Sequence, residues 1–264
     1  MYKLGILGIG NMGGSILDGI LKASIYQKDE IFLFDPNKNV QEKYLKEGLN
    51  FAKNEKELVE NVHTLLLAIK PQMLDELKKY QFEVTDLVVI SIVAGKTKEK
   101  LSEIFGKQKY VRVMPNTPSL IKAGATAVAN EPELTKEELN NVINIFKELG
   151  HVELISDELM NEVIPLNGSM PAFLYYFAKC FIDKGVKDGL DYEVAKNLAC
   201  EAIIGSAKMI LESNQDIDTL IKNVCSPKGA TLEGLKVFEE NKTNKVIEEV
   251  SDATIKRAYE LSNI

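Results

Sequence analysis

Three glycines near the N-terminus have the spacing of a phosphate-binding turn. In YKLGILGIGNMGGSILDGIL, a short apolar run meets Gly8, Gly10 and Gly13, and a helical pattern follows. Gly8 allows a sharp reversal, Gly10 lets the backbone approach a pyrophosphate, and Gly13 lets the helix pack closely on the strand. The unpaired N–H groups and positive end of that helix predict a bound pyrophosphate.

An acidic residue follows where a ribose would lie. A second apolar run, Ile31–Phe34, ends in Asp35, whose carboxylate could accept hydrogen bonds from the hydroxyls of an adenosine ribose. The order of strand, helix and acid favours a dinucleotide over the alternative, a glycine-rich turn without a ligand. Asp35 would repel a 2′-phosphate, which favours NADH. Lys38 lies close enough in sequence to offset that charge, so NADH and NADPH both stay open.

Three predicted strands end in turn-forming or polar residues. These ends lie at residues 68–72, 93–95 and 114–118. Ligands of open sheets bind at the carboxyl ends of the strands, so together they favour a cofactor groove. In the last of them, prolines on both sides fix the backbone around Asn116 and Thr117. Ordinary turn chemistry is the alternative for each loop taken alone.

A second stretch with possible chemistry lies near the C-terminus and reads NVCSPKGATLEGL. Ser226 precedes a proline, Gly229 frees the backbone, and Ala230 and Thr231 begin a helix. The first amides of such a helix can bind an anion, and a substrate carboxylate is the natural candidate beside these hydroxyls. A well-capped helix without a ligand is the alternative.

The elements that position these residues predict an α/β fold. Continuous apolar runs of strand length are typical of a parallel, doubly wound sheet covered on both faces. They lie at residues 3–7, 30–34, 64–69, 87–93 and 110–114, with further strands at 125–129 and 152–155. A helix is predicted over 133–149, capped by Thr135 with Glu138 three residues later and ended by Gly150.

The pattern becomes entirely helical beyond about Asp157. We therefore predict a dinucleotide-binding domain over 1–156 and an all-helical domain over 157–264. Within the second, PAFLYYFAKCFID at 171–183 is apolar almost all round, which predicts burial on every side. Another subunit could supply part of that burial, and a fully internal core helix is the alternative.

Composition excludes several classes of protein. The chain has 264 residues and a net charge of −7 without a basic block, which argues against nucleic acid or an anionic membrane as partner. Its three cysteines lie far apart, so neither a disulfide framework nor a metal site is predicted, and a cytoplasmic location is expected. The longest apolar run, 87–94, is too short to cross a bilayer.

Five motifs together resemble the pyrroline-5-carboxylate reductase family. They are GIGNMG at 8–13, AIKPQ at 68–72, RVMPNTP at 112–118, NGSMPAF at 167–173 and NVCSPKGATLEGL at 223–235. The resemblance implies a Rossmann domain followed by a helical dimerisation domain. It also implies a homodimer, with further assembly left open, that reduces 1-pyrroline-5-carboxylate to L-proline with hydride from NAD(P)H.

The same resemblance implies site residues. Those that would bind the cofactor are Gly8, Gly10, Asn11, Met12, Gly13, Asp35, Asn37, Asn54, Ile69, Lys70, Pro71, Ala94 and Asn223. Those that would contact the substrate are Asp157, Ser226, Gly229, Ala230 and Thr231. The Thr231 hydroxyl would orient the ring nitrogen, and positioning would count for more than a strong acid because a protonated C=N bond is already electrophilic.

Four residues depart from the family's pattern. The family usually reads SGSGPAY and SPGG where this chain has Asn167, Met170, Phe173 and Lys228. The departures keep two alternatives open: a paralogue that reduces another cyclic imine or a hydroxy acid, and a non-catalytic dinucleotide-binding regulator.

Overall fold

A computed structural model describes residues 1–262 of the chain, and eight strands in it form one sheet. The strands are β1 (Tyr2–Leu7), β2 (Ile31–Phe34), β3 (Asn50–Phe51), β4 (Val62–Leu67), β5 (Val88–Ser91), β6 (Lys109–Met114), β7 (Gly124–Ala129) and β8 (Gly150–Ile155). Their order across the sheet is β3-β2-β1-β4-β5-β6-β7-β8. The strand order reverses on either side of β1, as in a Rossmann-type fold.

Six helices accompany this sheet. They are α1 (Asn11–Lys22), α2 (Lys38–Lys46), α3 (Glu55–Glu60), α4 (Pro71–Leu74), α5 (Lys98–Phe105) and α6 (Lys136–Lys147). Side chains that alternate along the central strands form two buried clusters, one containing Ile6 and Leu66, the other Leu7, Leu65 and Leu67. The central strands are therefore covered on both faces, which confirms the doubly wound architecture.

The sheet is not parallel throughout, contrary to the prediction. β7 runs antiparallel to β6, with Val113 opposite Val128, whereas the other pairings are parallel. The chain between β6 and β7 contains only a short 3₁₀ turn, Thr117–Ile121, and a parallel crossover needs a longer connection. The two-residue strand β3 was not predicted because it is too short for an apolar run.

The predicted cap of α6 is confirmed, but its predicted end is wrong. The Thr135 hydroxyl accepts a hydrogen bond from the Glu138 amide, and the Glu138 carboxylate accepts one from the Thr135 amide. Glu148 forms the C-cap. Gly150 instead begins β8 with φ of +140°, where a Cβ atom would collide with the carbonyl of Gly124.

Five helices follow the sheet. They are α7 (Met170–Lys187), α8 (Tyr192–Glu212), α9 (Ile217–Val224), α10 (Ala230–Glu240) and α11 (Thr243–Ser262). Contacts divide the chain into two units: Met1–Pro171 together with α11 from Thr254 onward, and Ala172–Ala253. The boundary after residue 156 stays a prediction. Within residues 1–262, every helix is too short or too polar to cross a membrane.

Helix α7 is not buried on every side by its own chain. Tyr175, Tyr176, Phe177 and Phe181 are 63%, 73%, 47% and 55% exposed. The alternative of a fully internal core helix is therefore wrong. Its apolar surface is left for a partner to cover, as the sequence pattern allowed.

Candidate functional site

The glycine turn between β1 and α1 has the predicted geometry. Gly8 has φ of +93°, and a Cβ atom there would lie 2.7 Å from the carbonyl oxygen of Ala68. At Gly13 a Cβ atom would collide with the carbonyl of Gly8, whereas at Gly10 it would meet nothing within 4 Å. Gly8 and Gly13 are therefore required by the fold, and Gly10 borders open space.

The start of α1 is suited to a phosphate group. The N-cap is Gly10, which has no side chain to cap the helix, and the first turn carries no acidic residue. The first intrahelical bond runs from the Gly14 amide to the Gly10 carbonyl, so the amides of Asn11, Met12 and Gly13 precede the hydrogen-bond ladder. These amides and the helix dipole fit the pyrophosphate of a dinucleotide.

Asp35, directly after β2, is fixed by two backbone donors. Its Oδ2 accepts a hydrogen bond from the Ile9 amide at 2.7 Å, and its Oδ1 accepts one from the Asn37 amide at 2.9 Å. The residue is buried, with 9% exposed. Asp35 therefore ties the glycine turn to the end of β2, and the sequence pattern did not reveal this role.

Two predicted cofactor residues are also helix caps. Asn37 Oδ1 accepts from the Asn39 amide, and Asn54 Oδ1 accepts from the Glu57 amide. They cap α2 and α3 respectively. Each side-chain oxygen accepts a backbone hydrogen bond in its cap, and the predicted cofactor contact of both residues stays a prediction.

The predicted nicotinamide side lies at the ends of β4 and β5. Ile69 is half-buried against Gly8, and Lys70 and Pro71 begin α4. Ala94 is exposed in the loop after β5. Because β1, β2, β4 and β5 are parallel neighbours, their carboxyl ends bring the predicted cofactor residues of the first unit to one edge.

A cleft of about 740 Å³ opens beside the glycine turn. Gly10, Asn11 and Asn37 line it at one end, and Ser15 and Lys43 continue it along α1 and α2. Its volume is that of a small-molecule site. The lining includes neither the residues at the ends of β4 and β5 nor Asp35 and Asn54, so which part of the predicted site this cleft forms stays a prediction.

Asp157 lies in an ion-pair network of the first unit. Arg112 Nε donates to Asp157 Oδ1 at 2.6 Å, and Lys98 Nζ lies 3.8 Å from Asp157 Oδ2. Lys98 also pairs with the buried Glu131 at 2.8 Å. Burial raises the pKa of Glu131, and Lys98 opposes that shift. Both Asp157 oxygens thus have cationic neighbours, and its predicted substrate contact stays a prediction.

The loop after β6 makes a contact of the kind that the turn-chemistry alternative expects, and its part in a cofactor groove stays a prediction. Asn116 Oδ1 accepts a hydrogen bond from the Ala125 amide at 3.0 Å, so that oxygen fastens the loop to β7. Nearby, Asn167 Nδ2 donates to the Met114 carbonyl at 2.6 Å, and its buried Oδ1 has no hydrogen-bond partner within residues 1–262.

The remaining predicted residues lie together in the second unit, around the turn between α9 and α10. The Gly229 amide donates to the Ser226 carbonyl at 2.9 Å, so the turn already engages it, and its predicted contact with a substrate carboxylate stays a prediction. The amides of Ala230 and Thr231 begin α10. Asn223 Nδ2 donates to Gln215 Oε1. Lys228 has φ of +60°, a conformation that favours glycine, the family's usual residue at this position.

The fold first defines a class: α/β proteins with a Rossmann-type sheet and a separate helical unit. Two family models match the chain, one described as pyrroline-5-carboxylate reductase dimerisation over residues 157–261. The other is described as NADP oxidoreductase coenzyme F420-dependent, and it matches residues 3–95.

Full-length relatives identify the family. The chain is 32% identical to the pyrroline-5-carboxylate reductase of Escherichia coli K12, over 98% of each chain. It is 32% identical to that of Aquifex aeolicus, over 98% of this chain and 97% of the other. The crystal structure of Plasmodium falciparum pyrroline carboxylate reductase with NADP bound has a TM-score of 0.87 and 30% identity, covering 99% and 98% of the two chains. The chain belongs to the pyrroline-5-carboxylate reductase family, whose members are NAD(P)-dependent oxidoreductases.

Proposed function

We propose that this protein reduces 1-pyrroline-5-carboxylate to L-proline with hydride from NADH or NADPH. The observation that carries the proposal is the similarity to pyrroline-5-carboxylate reductases over 98% of the chain. The glycine turn, with its free α1 amides and open space at Gly10, supports a dinucleotide as hydride donor. The N-terminus of α10 supports a carboxylate-bearing substrate because the first amides of a helix can bind an anion.

In this proposal the first unit binds the cofactor. The α1 amides bind the pyrophosphate, while Asp35, Asn37 and Asn54 face the adenosine end. When bound, NAD(P)H supplies hydride to the imine carbon. Residues assigned to the nicotinamide half are Ile69, Lys70, Pro71 and Ala94, with Asn223 from the second unit.

The second unit holds the substrate in this proposal. The carboxylate binds the amides of Ala230 and Thr231 and the Ser226 hydroxyl, and it lies beside Gly229, whose amide also donates to the Ser226 carbonyl. The Thr231 hydroxyl orients the ring nitrogen. A strong acid is not required because the protonated imine is already electrophilic, and accurate positioning supplies the rate.

The assay and a Thr231 series test this assignment. We expect pyrroline-5-carboxylate-dependent oxidation of NADH or NADPH. Thr231→Ala should lower kcat/KM about a hundredfold, by analogy with loss of one positioned donor. Thr231→Ser should restore most of the rate because it keeps the hydroxyl, and Thr231→Val should not.

Two results would contradict the proposal. An unchanged rate in Thr231→Ala would remove Thr231 from the site. The proposed reaction would be contradicted if the protein neither turned over this substrate nor reduced the cofactor with proline at high pH. Activity on another cyclic imine or a hydroxy acid would then indicate a paralogue, and cofactor binding without turnover would indicate a regulator.

We further propose that NADH is the preferred cofactor. Asp35 is held by the Ile9 and Asn37 amides, so its carboxylate cannot swing away to admit a 2′-phosphate. Like charges placed against each other cost several kcal/mol. The relative from Plasmodium falciparum has NADP bound, so the preference must be measured for this chain.

Asp35→Asn tests the cofactor preference because it removes the charge at nearly constant size. It also replaces one acceptor of the Ile9 and Asn37 amides by an NH2 group, so the ratio between the two cofactors is compared and not the absolute rate. We expect the ratio of kcat/KM for NADH to that for NADPH to fall at least about tenfold, equivalent to ~1.4 kcal/mol. Asp29→Asn, which removes an exposed charge from the same unit, is the control and should leave the ratio unchanged. A wild-type preference for NADPH would overturn this assignment.

We also propose a cytoplasmic homodimer. The match to a dimerisation family and the exposed aromatic side chains of α7 support the dimer. The three free cysteines support a reducing compartment. We retain 1–156 and 157–264 as the functional division, since the dimerisation family matches from residue 157.

A further inference from the structure

The last turn of α11 packs against the loop that follows β5. Gly95 in this loop has φ of +70°, and a Cβ atom there would lie 3.0 Å from the Cβ of Leu261. It would also lie 3.7 Å from the amide nitrogen of Ser262. The backbone of the loop and the end of the helix, both in the first unit, are therefore in close contact.

Exposure within the loop alternates in a way that presents one residue. Val93, Gly95 and Lys96 are buried, whereas Ala94 between them is exposed. The Lys96 amide donates to the Val93 carbonyl and closes the turn. The loop is therefore covered on one side at Gly95, and Ala94 points away from the core.

The end of α11 has its own attachments to the first unit. Ala258 and Ser262 are buried, and the Tyr259 hydroxyl donates to Glu162 Oε1. Leu261 is thus carried on a helix end that the Tyr259 contact attaches to a segment other than the loop. A fixed support beneath a short turn limits where the exposed residue of that turn can lie.

We infer that the C-terminal end of α11 is a positioning element for the nicotinamide half of the cofactor: Leu261 acts through Gly95 to hold Ala94 in place. This inference rests on the proposed function, which assigns Ala94 to that half. Hydride transfer depends on the ring being held at the reacting carbon, and a small misplacement can reduce the rate about a hundredfold.

Gly95→Ala tests the inference, with Gly106→Ala as the matched control. The two glycines have φ of +70° and +73°, but a Cβ atom at Gly106 would meet nothing within 4 Å. Both variants place a Cβ atom at a residue with positive φ, and only Gly95→Ala pushes the loop against Leu261. Thermal unfolding measures the backbone strain of each variant.

The readout compares NADH with ADP-ribose, which lacks the nicotinamide. For Gly95→Ala we expect the Kd of NADH to rise about tenfold and kcat to fall, with the Kd of ADP-ribose unchanged. Gly106→Ala should change neither Kd. A purely structural role would weaken the binding of NADH and ADP-ribose together. That result would overturn the inference, and so would equal Kd values in Gly95→Ala and Gly106→Ala.

Leu261→Gly tests the helix side of the contact, since it removes the Cβ atom that opposes Gly95. Alone it should raise the Kd of NADH about threefold and leave the Kd of ADP-ribose unchanged. In the double variant with Gly95→Ala, the Kd of NADH should lie within about threefold of its value in Leu261→Gly alone. Such coupling is expected for residues in contact. Additive losses would overturn the inference.

These binding measurements need no imine substrate. If the wild-type protein binds NADH but does not reduce pyrroline-5-carboxylate, the proposed reaction fails while the loop test still gives a result. If the wild-type protein turns over and Gly95→Ala matches its control, the inference alone fails.

Discussion

Gly10 and Gly13 have different physical roles within one motif. A Cβ atom at Gly13 would collide with the Gly8 carbonyl, so we expect Gly13→Ala to destabilise the fold by about 2 kcal/mol or more, as overpacking does. Gly10 borders open space. We expect Gly10→Ala to leave the unfolding temperature within about 2 °C of wild type and to weaken NADH at least about tenfold, because the methyl group occupies the pyrophosphate position.

Calorimetry and NADH titration of the two variants check this pair. Gly205→Ala in α8, a glycine without positive φ and with nothing within 4 Å of its Cβ, controls for the general cost of adding a methyl group at a glycine. Unchanged NADH affinity in Gly10→Ala would remove the pyrophosphate from this turn.

At this scale the sequence predicts what depends on local geometry. The glycine spacing and the Thr135 cap are local, and both have the predicted geometry. The backbone donors to Asp35 come from Ile9 and Asn37, one of them 26 residues away in the chain. Likewise, the engagement of the Gly229 amide depends on how one turn closes. Neither the hydrogen bonds of Asp35 nor that of Gly229 can be predicted from composition and spacing.

Between elements, the ion pair of Arg112 and Asp157 fastens β6 to the chain after β8. Their side chains are only 13% and 21% exposed, so removing one charge leaves the other poorly solvated. We expect Asp157→Asn to lower the free energy of unfolding by about 2 kcal/mol. If Asp157 has only this structural role, the KM for the imine substrate should stay unchanged.

Urea unfolding and steady-state kinetics separate the two roles of Asp157. The exposed pair of Lys236 and Glu233 is the control, and Glu233→Gln should cost less than about 0.5 kcal/mol. A raised KM in Asp157→Asn with unchanged stability would favour the substrate contact suggested by the family resemblance.

The element pattern could be predicted further than the direction of every strand. Strands buried on both faces leave continuous apolar runs, and the predicted runs match the central strands closely. The reversal at β7 is set by the short chain between residues 114 and 124, which an apolar pattern does not record. The network at Asp157 was also missed, because its members are scattered from Lys98 to Asp157.

For the whole molecule, the exposed aromatic face of α7 predicts self-association. Tyr176 is 73% exposed on a helix of the matched dimerisation region. We expect Tyr176→Lys to shift the protein toward monomer, because a buried charge without a partner is costly at an apolar interface. Sedimentation velocity over a concentration series measures the shift.

Leu45→Lys, at a 50% exposed apolar position on α2, is the control and should leave the association state unchanged. A wild-type chain that stays monomeric at micromolar concentration would contradict the dimer. The sequence indicated this surface because α7 is apolar almost all round, and a helical segment of about a hundred residues has little interior of its own.

The first unit is built from two parts of the chain, with Ala172–Ala253 between them. During synthesis the N-terminal part leaves the ribosome long before the end of α11 does. Gly95 therefore stays uncovered until the end of α11 emerges, and a nascent chain stalled before α11 would carry a sheet whose β5 loop lacks the contact with Leu261. Completion of this unit consequently waits for the synthesis of α11, which follows the whole of Ala172–Ala253, whereas a contiguous N-terminal domain can finish folding earlier in translation.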